Sequence, residues 1–170
     1  MGPVSDQGMP KKQRYQFIPR VLIFVENEDR ILLIKGAPDK KIWPNLFNGL
    51  GGHIERGESV IQAATREVFE ESGLKINDLW LCACITIDTE KDLGIVMWVF
   101  RGTASDRGFQ ESAEGKLEWI NLEDISNSPL VVDLSQLIPA IFTLEKGSTP
   151  LWGRYWYDEK DEFRMELSPA

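Results

Sequence analysis

SVIQAATREVFEESGL, residues 59–74, is the stretch on which the reading of this chain turns. Ser59 followed three residues later by Gln62 is the pattern of a capping box. Gly73 supplies a left-handed stop, with Leu74 as the apolar residue after it. No glycine or proline interrupts Val60 to Ser72, so the spacing predicts a helix over 60–72. On a wheel of about 100° per residue centred on Glu67, Glu70 falls about 60° to one side and Glu71 about 40° to the other. Val60, Ala63, Ala64 and Leu74 occupy the same sector. Three carboxylates therefore share a stripe with residues that should face a core.

Like charges at this spacing repel, and partial burial raises the cost. A solvated acidic face would explain the carboxylates but would leave the Ala/Val stripe in water. Arg66 can pair with Glu70 across one turn, yet one guanidinium does not neutralise three carboxylates. A divalent cation does, and clustered oxygen ligands suit Mg²⁺ or Mn²⁺. Immediately upstream, Gly49, Gly51, Gly52 and Gly57 surround His53-Ile54-Glu55-Arg56. Such a segment lets the backbone approach a ligand closely and enters a helix N-terminus suited to phosphate.

The composition narrows the chemistry further. The 170 residues hold 27 acidic and 19 basic side chains, a net charge of −8, with 42% hydrophobic residues. That balance predicts a globular chain and argues against general binding to nucleic-acid polymers, which needs basic surface. With one histidine, His53, histidine-rich zinc sites are excluded. Two cysteines build no disulfide framework. No apolar run reaches the roughly 20 residues of a membrane-spanning helix, and the N-terminus lacks an apolar signal core. A cytoplasmic protein without a membrane partner is the expectation.

Outward from the helix, residues 1–14 are expected as a mobile arm and residues 15–170 as one domain. Val21–Val25 and Ile31–Ile34 flank Asn27-Glu28-Asp29, which predicts a hairpin. Residues 36–45, with two prolines, read as a loop. Leu79–Asp88 and Leu93–Arg101 read as strands around a turn at residues 90–92, followed by Leu117–Asn121, one helical turn at Leu122–Ser126, and a last hairpin of Gly153–Tyr157 with Phe163–Leu167. Asp133–Lys146 has helical periodicity through Leu134, Leu137, Ile138, Ile141 and Phe142, against which Pro139 counts. Cys82 and Cys84 alternate on a strand and are expected on one face as buried small hydrophobes. Trp43, Trp80, Trp98 and Trp119 read as core or edge aromatics. Strands mixed with two helices predict an α/β fold whose sheet is covered on both faces.

Gly52-His-Ile-Glu-Arg-Gly-Glu58, seven residues, then Arg66-Glu-Val-Phe-Glu-Glu-Ser-Gly-Leu74 resembles a complete Nudix box, GX5EX7REUXEEXGU with U aliphatic, at every fixed position. The resemblance implies a Nudix-type α/β/α sandwich with a central mixed sheet, and a hydrolase of nucleoside diphosphates linked to another group. It implies Mg²⁺ or Mn²⁺ held by Glu67, Glu70, Glu71 and the Gly51 carbonyl, with Glu67 also acting on the attacking water. Glu58 and Arg66 become supporting catalytic residues, Arg66 orienting the glutamates. A later carboxylate often completes such sites; among Glu111, Glu114 and Glu118 the expectation falls on Glu114.

Substrate choice lies outside the box. Phe47–Gly52 resembles the entry to the box in MutT-type hydrolases of oxidised purine nucleoside triphosphates, where an asparagine at the place of Asn48 contacts the base. Asp133 resembles one of two adjacent aspartates that read the purine edge there; its neighbour is Leu134. Read without the family, Asn48 is equally a turn residue and Asp133 a helix N-cap. His53 is a variable box position that either touches phosphate or sits exposed in a loop. The leading expectation is cleavage of a nucleoside triphosphate, 8-oxo-dGTP among them, to monophosphate and pyrophosphate. Nucleotide sugars, dinucleotide polyphosphates, a non-catalytic nucleotide sensor and a protein-interaction module remain alternatives. The partner is a small-molecule nucleotide, and a homodimer is left open.

Overall fold

The computed structural model describes residues 14–90, 92–110 and 115–169, so the arm expected over 1–14 lies, apart from Arg14, outside the described residues. Strands β1 (Gln16–Asn27), β2 (Arg30–Gly36), β3 (Phe47–Asn48), β4 (Ile76–Glu90), β5 (Leu93–Ala104), β6 (Gly115–Asn121), β7 (Leu151–Tyr157) and β8 (Phe163–Pro169) form one eight-stranded sheet. Its order is β3-β2-β1-β5-β4-β7-β8, with β6 on β2. Pairs β1–β5 and β4–β7 are parallel and the rest antiparallel, so the sheet is mixed. Helix α1 (Val60–Ser72) spans the predicted residues, and its capping box and Gly73 stop both form. Helix α2 (Leu134–Phe142) keeps Pro139, which is exposed on the solvent side of the helix. Among the described residues no helix is long and apolar enough to cross a membrane.

Strand alternation divides the core in two. Val21, Ile23 and Val25 of β1 with Leu32 and Ile34 of β2 pack under Ala63, Ala64 and Val68 of α1. Leu22, Phe24, Ile31 and Leu33 face the other way, against Leu134, Leu137, Ile138 and Ile141 of α2. This is the sandwich expected from the sequence. Cys82 and Cys84 do not share a face. The register of β4 on β5 shifts between Leu81 and Ala83, and this bulge turns Cys82 into the α2-side core while Cys84 pairs with Trp98 on the α1 side. Burial pushes the Cys82 thiol up to about 12 and raises that of Cys84, consistent with inert packing residues.

β1 and β2 pair only near their hairpin, at Val25–Leu32, Glu26–Ile31 and Asn27–Arg30, and then splay apart. The wedge between them is filled by the chain from β3 onward. Ile34 and Lys35 pair with Asn48 and Phe47, while Leu50 and His53 bridge to Ile23 and Arg20 of β1. At the apex, Arg107 bonds Asn27 Oδ1 (2.7 Å) and Glu28 (2.7 Å), and Asn27 donates to the Ala104 carbonyl (2.9 Å).

Arg101 ties the α2 layer to the sheet. It forks onto Glu26 at 2.8 and 2.9 Å, bonds the Ile141 and Leu144 carbonyls at 3.0 and 3.2 Å, and lies between the rings of Trp80 and Phe142. Both partners of the ion pair are largely buried. Arg101→Met should lower stability by about 3 kcal/mol, because it strands the Glu26 charge. Adding Glu26→Gln should restore part of that loss in urea unfolding. Equal stability of wild type and single variant would remove this pair from the account.

Candidate functional site

The glycine segment reaches α1 because the wedge places it there. Val21 N–H donates to the Gly52 carbonyl at 2.9 Å, and Ile54 N–H to the Pro19 carbonyl at 3.1 Å. Gly51 has φ +147° and lies so close to the Val21 carbonyl that any Cβ would collide with it. At Gly52 the obstruction is the Glu67 carboxylate itself, which packs where a side chain would begin. The two positions bring backbone against the acidic stripe of α1.

Arg66 organises that stripe. Its guanidinium forks onto Glu58 (Nε–Oε2 3.1 Å, Nη2–Oε1 2.7 Å) and bonds Glu67 Oε1 at 2.9 Å, Glu70 Oε2 at 3.0 Å and the His53 carbonyl at 3.0 Å. One guanidinium thus engages three carboxylates, more than the single Glu70 pairing expected from the helix wheel. The fourth, Glu71, is buried and accepts from Gly51 N–H at 2.8 Å. The Glu67 side chain is 14% exposed and that of Glu70 58%, so the stripe runs from buried to open across the site. The Glu58 bonds hold Arg66 well above its ordinary value, with Glu67 and Glu70 adding to the effect against desolvation. In return Arg66 lowers Glu58, helped by the Glu55 N–H.

Four carboxylates against one guanidinium leave an excess of negative charge of the hard-oxygen type that suits Mg²⁺ or Mn²⁺. Among the described residues, however, no three acidic side chains converge as a ready cation cage. Arg66 holds Glu67 and Glu70, and Glu71 is turned to Gly51. Glu111 and Glu114 lie outside the described residues. Glu118 is opposite Leu33, whose side chain belongs to the α2-side core, so strand alternation turns Glu118 away from α1.

The other expected residues separate into two places. Asn48 lies beside Gly51 and Glu71 along a cavity of about 430 Å³, its side-chain oxygen accepting from Gly49 N–H at 2.9 Å. His53 is exposed, and its Nε2 accepts from Arg20 Nε at 3.2 Å. Asp133 stands at the N-cap position of α2, but its backbone is helical and its side chain makes no capping bond. Burial pushes its carboxyl up to about 6. Burial, and then the Asp133 charge, raises the phenol of Tyr155, whose hydroxyl is buried without a hydrogen-bond partner among the described residues. Sequence reasoning passed over Arg20, Lys40 and Lys41, which also line the cavity, as does Trp43, read from the sequence as a core or edge aromatic. The signal available was an adjacent lysine pair in an otherwise acidic chain.

Comparison with known proteins bears on the family and the fold. The NUDIX domain family matches residues 16–141. The chain is 29% identical over 113 residues to an oxidized purine nucleoside triphosphate hydrolase of Danio rerio, covering 66% of this chain and 71% of that protein. It is also 29% identical over 143 residues to the uncharacterized Nudix hydrolase YvcI of Bacillus subtilis, covering 81% and 85%. Among solved structures, a mutator MutT protein from Bacillus halodurans superposes with a TM-score of 0.75 at 21% identity, over 91% of this chain and 99% of that one, which supports the fold. With a family match over most of its length and an intact acidic box on α1, the chain belongs to the NUDIX family and is a Nudix hydrolase.

Proposed function

We propose that this hydrolase cleaves the pyrophosphate linkage of a nucleoside triphosphate, releasing monophosphate and pyrophosphate in a divalent-metal-dependent reaction. The observation that carries the reading is the Arg66 network, which presents Glu67 and Glu70 beside the Gly51–Glu71 contact at the edge of a nucleotide-sized cavity. Glu67, Glu70, Glu71 and the Gly51 carbonyl would hold Mg²⁺ or Mn²⁺, with Glu114 as the further carboxylate. Bound there, the cation supplies charge neutralisation for the polyphosphate and a lowered pKa for the attacking water.

The chain's own residues supply position. Glu58 fixes Arg66 by its two-point contact, and Arg66 in turn sets the carboxylates of Glu67 and Glu70. Glu67 Oε1 accepts from Arg66, and Oε2 is the atom we assign to take a proton from water. To the base we assign Asn48, by its side-chain amide, and Asp133, by its carboxyl. The Danio rerio relative, an oxidized purine nucleoside triphosphate hydrolase, supports 8-oxo-dGTP as the substrate to test first.

Pyrophosphate release should be measured from dGTP and 8-oxo-dGTP with Mg²⁺, with Mn²⁺ and with chelator. An ADP-sugar and a dinucleotide polyphosphate belong in the same panel, with phosphatase-coupled detection. Turnover that survives chelator would overturn the metal-dependent reading, and preference for the ADP-sugar would overturn the triphosphate one.

Glu71→Gln keeps an oxygen for Gly51 N–H but loses a charge. It should lower kcat on the order of 100-fold or more with the fold retained, as expected of a group that stabilises transition-state charge. Wild-type turnover would remove Glu71 from the site. Arg66→Lys replaces a fork by a point charge and should cost about 10- to 100-fold in kcat, as for other groups that orient ligands.

Asp133 has a pH signature. Its folded-state value lies above the ordinary 3.8, so its contribution is present at low pH and is lost as pH rises from about 4 through about 6. Asp133→Asn should therefore stabilise the protein at pH 7.5 by about 1–2 kcal/mol, discounted for partial exposure, and by almost nothing at pH 4. Thermal or urea unfolding at the two pH values reads the difference, and a constant difference would contradict it.

A further inference from the structure

The charge of the 430 Å³ cavity is opposite to that of the chain. Its charged lining residues are Arg20, Lys40, Lys41 and Glu71, so three cations meet one anion in a protein of net charge −8. Glu71 marks the end beside the acidic box, and the lysines lie on the β2–β3 loop. The neighbouring cavity lined by Lys35 and Lys116 does not include Gly51 or Glu71.

The loop is built to hold those lysines over the cleft. Gly36 pins both of its ends, accepting from Asn45 N–H at 2.9 Å and donating to the Leu46 carbonyl at 3.0 Å. A side chain at Gly36 would begin 2.6 Å from the Trp43 carbonyl, so the loop closes against bare backbone. Trp43 and Asn45 adopt φ of +55° and +61°. Two left-handed non-glycine residues so close together are costly, and such strain persists where surrounding structure fixes it, often at ligand clamps.

We propose that Lys40 and Lys41, with Arg20, seat the terminal phosphate of the nucleoside triphosphate. The inference rests on the pyrophosphohydrolase reading above and deepens it by naming the residues that select a triphosphate. A triphosphate laid from Gly51 and Glu71 along this cavity carries more charge for the three cations to hold than a diphosphate linkage does. A nucleotide sugar places a neutral ring there and gains nothing from three cations. The lysines are specificity-determining residues: their charge recognises the end of the polyphosphate and takes no part in bond cleavage. Ammonium–phosphate contacts are charge-assisted and are screened by salt.

Two measurements test this. Calorimetric titration with inorganic tripolyphosphate in excess Mg²⁺ should show binding to wild type, binding at least about tenfold weaker to K40Q/K41Q, and near-wild-type binding to K40R/K41R. Circular dichroism confirms that each variant is folded, and the arginine variant separates loss of charge from loss of loop structure. Steady-state kinetics on the preferred triphosphate should show KM raised about tenfold in K40Q/K41Q, with the effect on KM rather than kcat. Equal tripolyphosphate affinity in wild type and K40Q/K41Q, or no binding to wild type, overturns the inference. If triphosphate turnover is intact and its KM unmoved, the inference fails while the hydrolase reading stands. If no nucleotide is turned over yet tripolyphosphate binding depends on the lysines, the anion seat stands and the triphosphate pyrophosphohydrolase reading fails.

Discussion

One guanidinium among four carboxylates is the constraint from which the rest of the site follows. Glu67 and Glu71 occupy the side of α1 that packs on the sheet, so their repulsion cannot be relieved by turning into water, as that of the exposed Glu70 can. Arg66 relieves it locally by engaging Glu58, Glu67 and Glu70 together, and the Gly51 N–H donates to Glu71. Glu58 lies outside the helix, in the preceding loop. The same bonds that offset repulsion therefore fasten the glycine segment to α1, and the local charge problem becomes a tertiary restraint.

That restraint needs backbone within reach, which the sheet provides by splaying. Had β1 and β2 stayed paired along their length, the chain from Asn48 to Ile54 would have no edge to occupy. Because they part after three residue pairs, the segment adds to β1 and carries Gly51 and Gly52 under the carboxylates. The α2 side has a separate role. Its large apolar side chains, with Arg101 closing the end of α2, hold the sheet while the α1 side carries the charge.

Much of this was legible in the sequence, for identifiable reasons. Helix α1 is announced by Ser59, Gln62 and Gly73, all local signals that act within one turn. The runs at 21–25 and 31–34 read as strands because both faces of the sheet are covered and no polar alternation is needed. The grouping of the box residues was carried by fixed spacing on one helix. What escaped depends on contacts distant in sequence. Arg66 binds Glu58 and Glu67 as well as Glu70, which a single-helix wheel does not display. The bulge at Leu81–Ala83 reverses the face of Cys84 and leaves no mark in composition. Asp133 stands at an N-cap position without capping, because its backbone has already entered the helical region. Arg20 meets Lys40 and Lys41 only once the wedge forms.

The pinned hairpin apex has a mechanical meaning. Arg107 grips Asn27 and Glu28 at the hairpin turn, three residue pairs before β1 and β2 part, and β2 runs from there for about 20 Å to Gly36. The arrangement is a lever with its fulcrum far from the chemistry. A tilt of about 5° at the apex displaces the far end of such a strand by about 2 Å. β2 and β6, paired from Arg30–Asn121 to Gly36–Gly115, would carry the β2–β3 loop together in such a tilt. Substitutions around Asn27, Ala104 and Arg107 would retune access to the cleft without touching any residue that lines it.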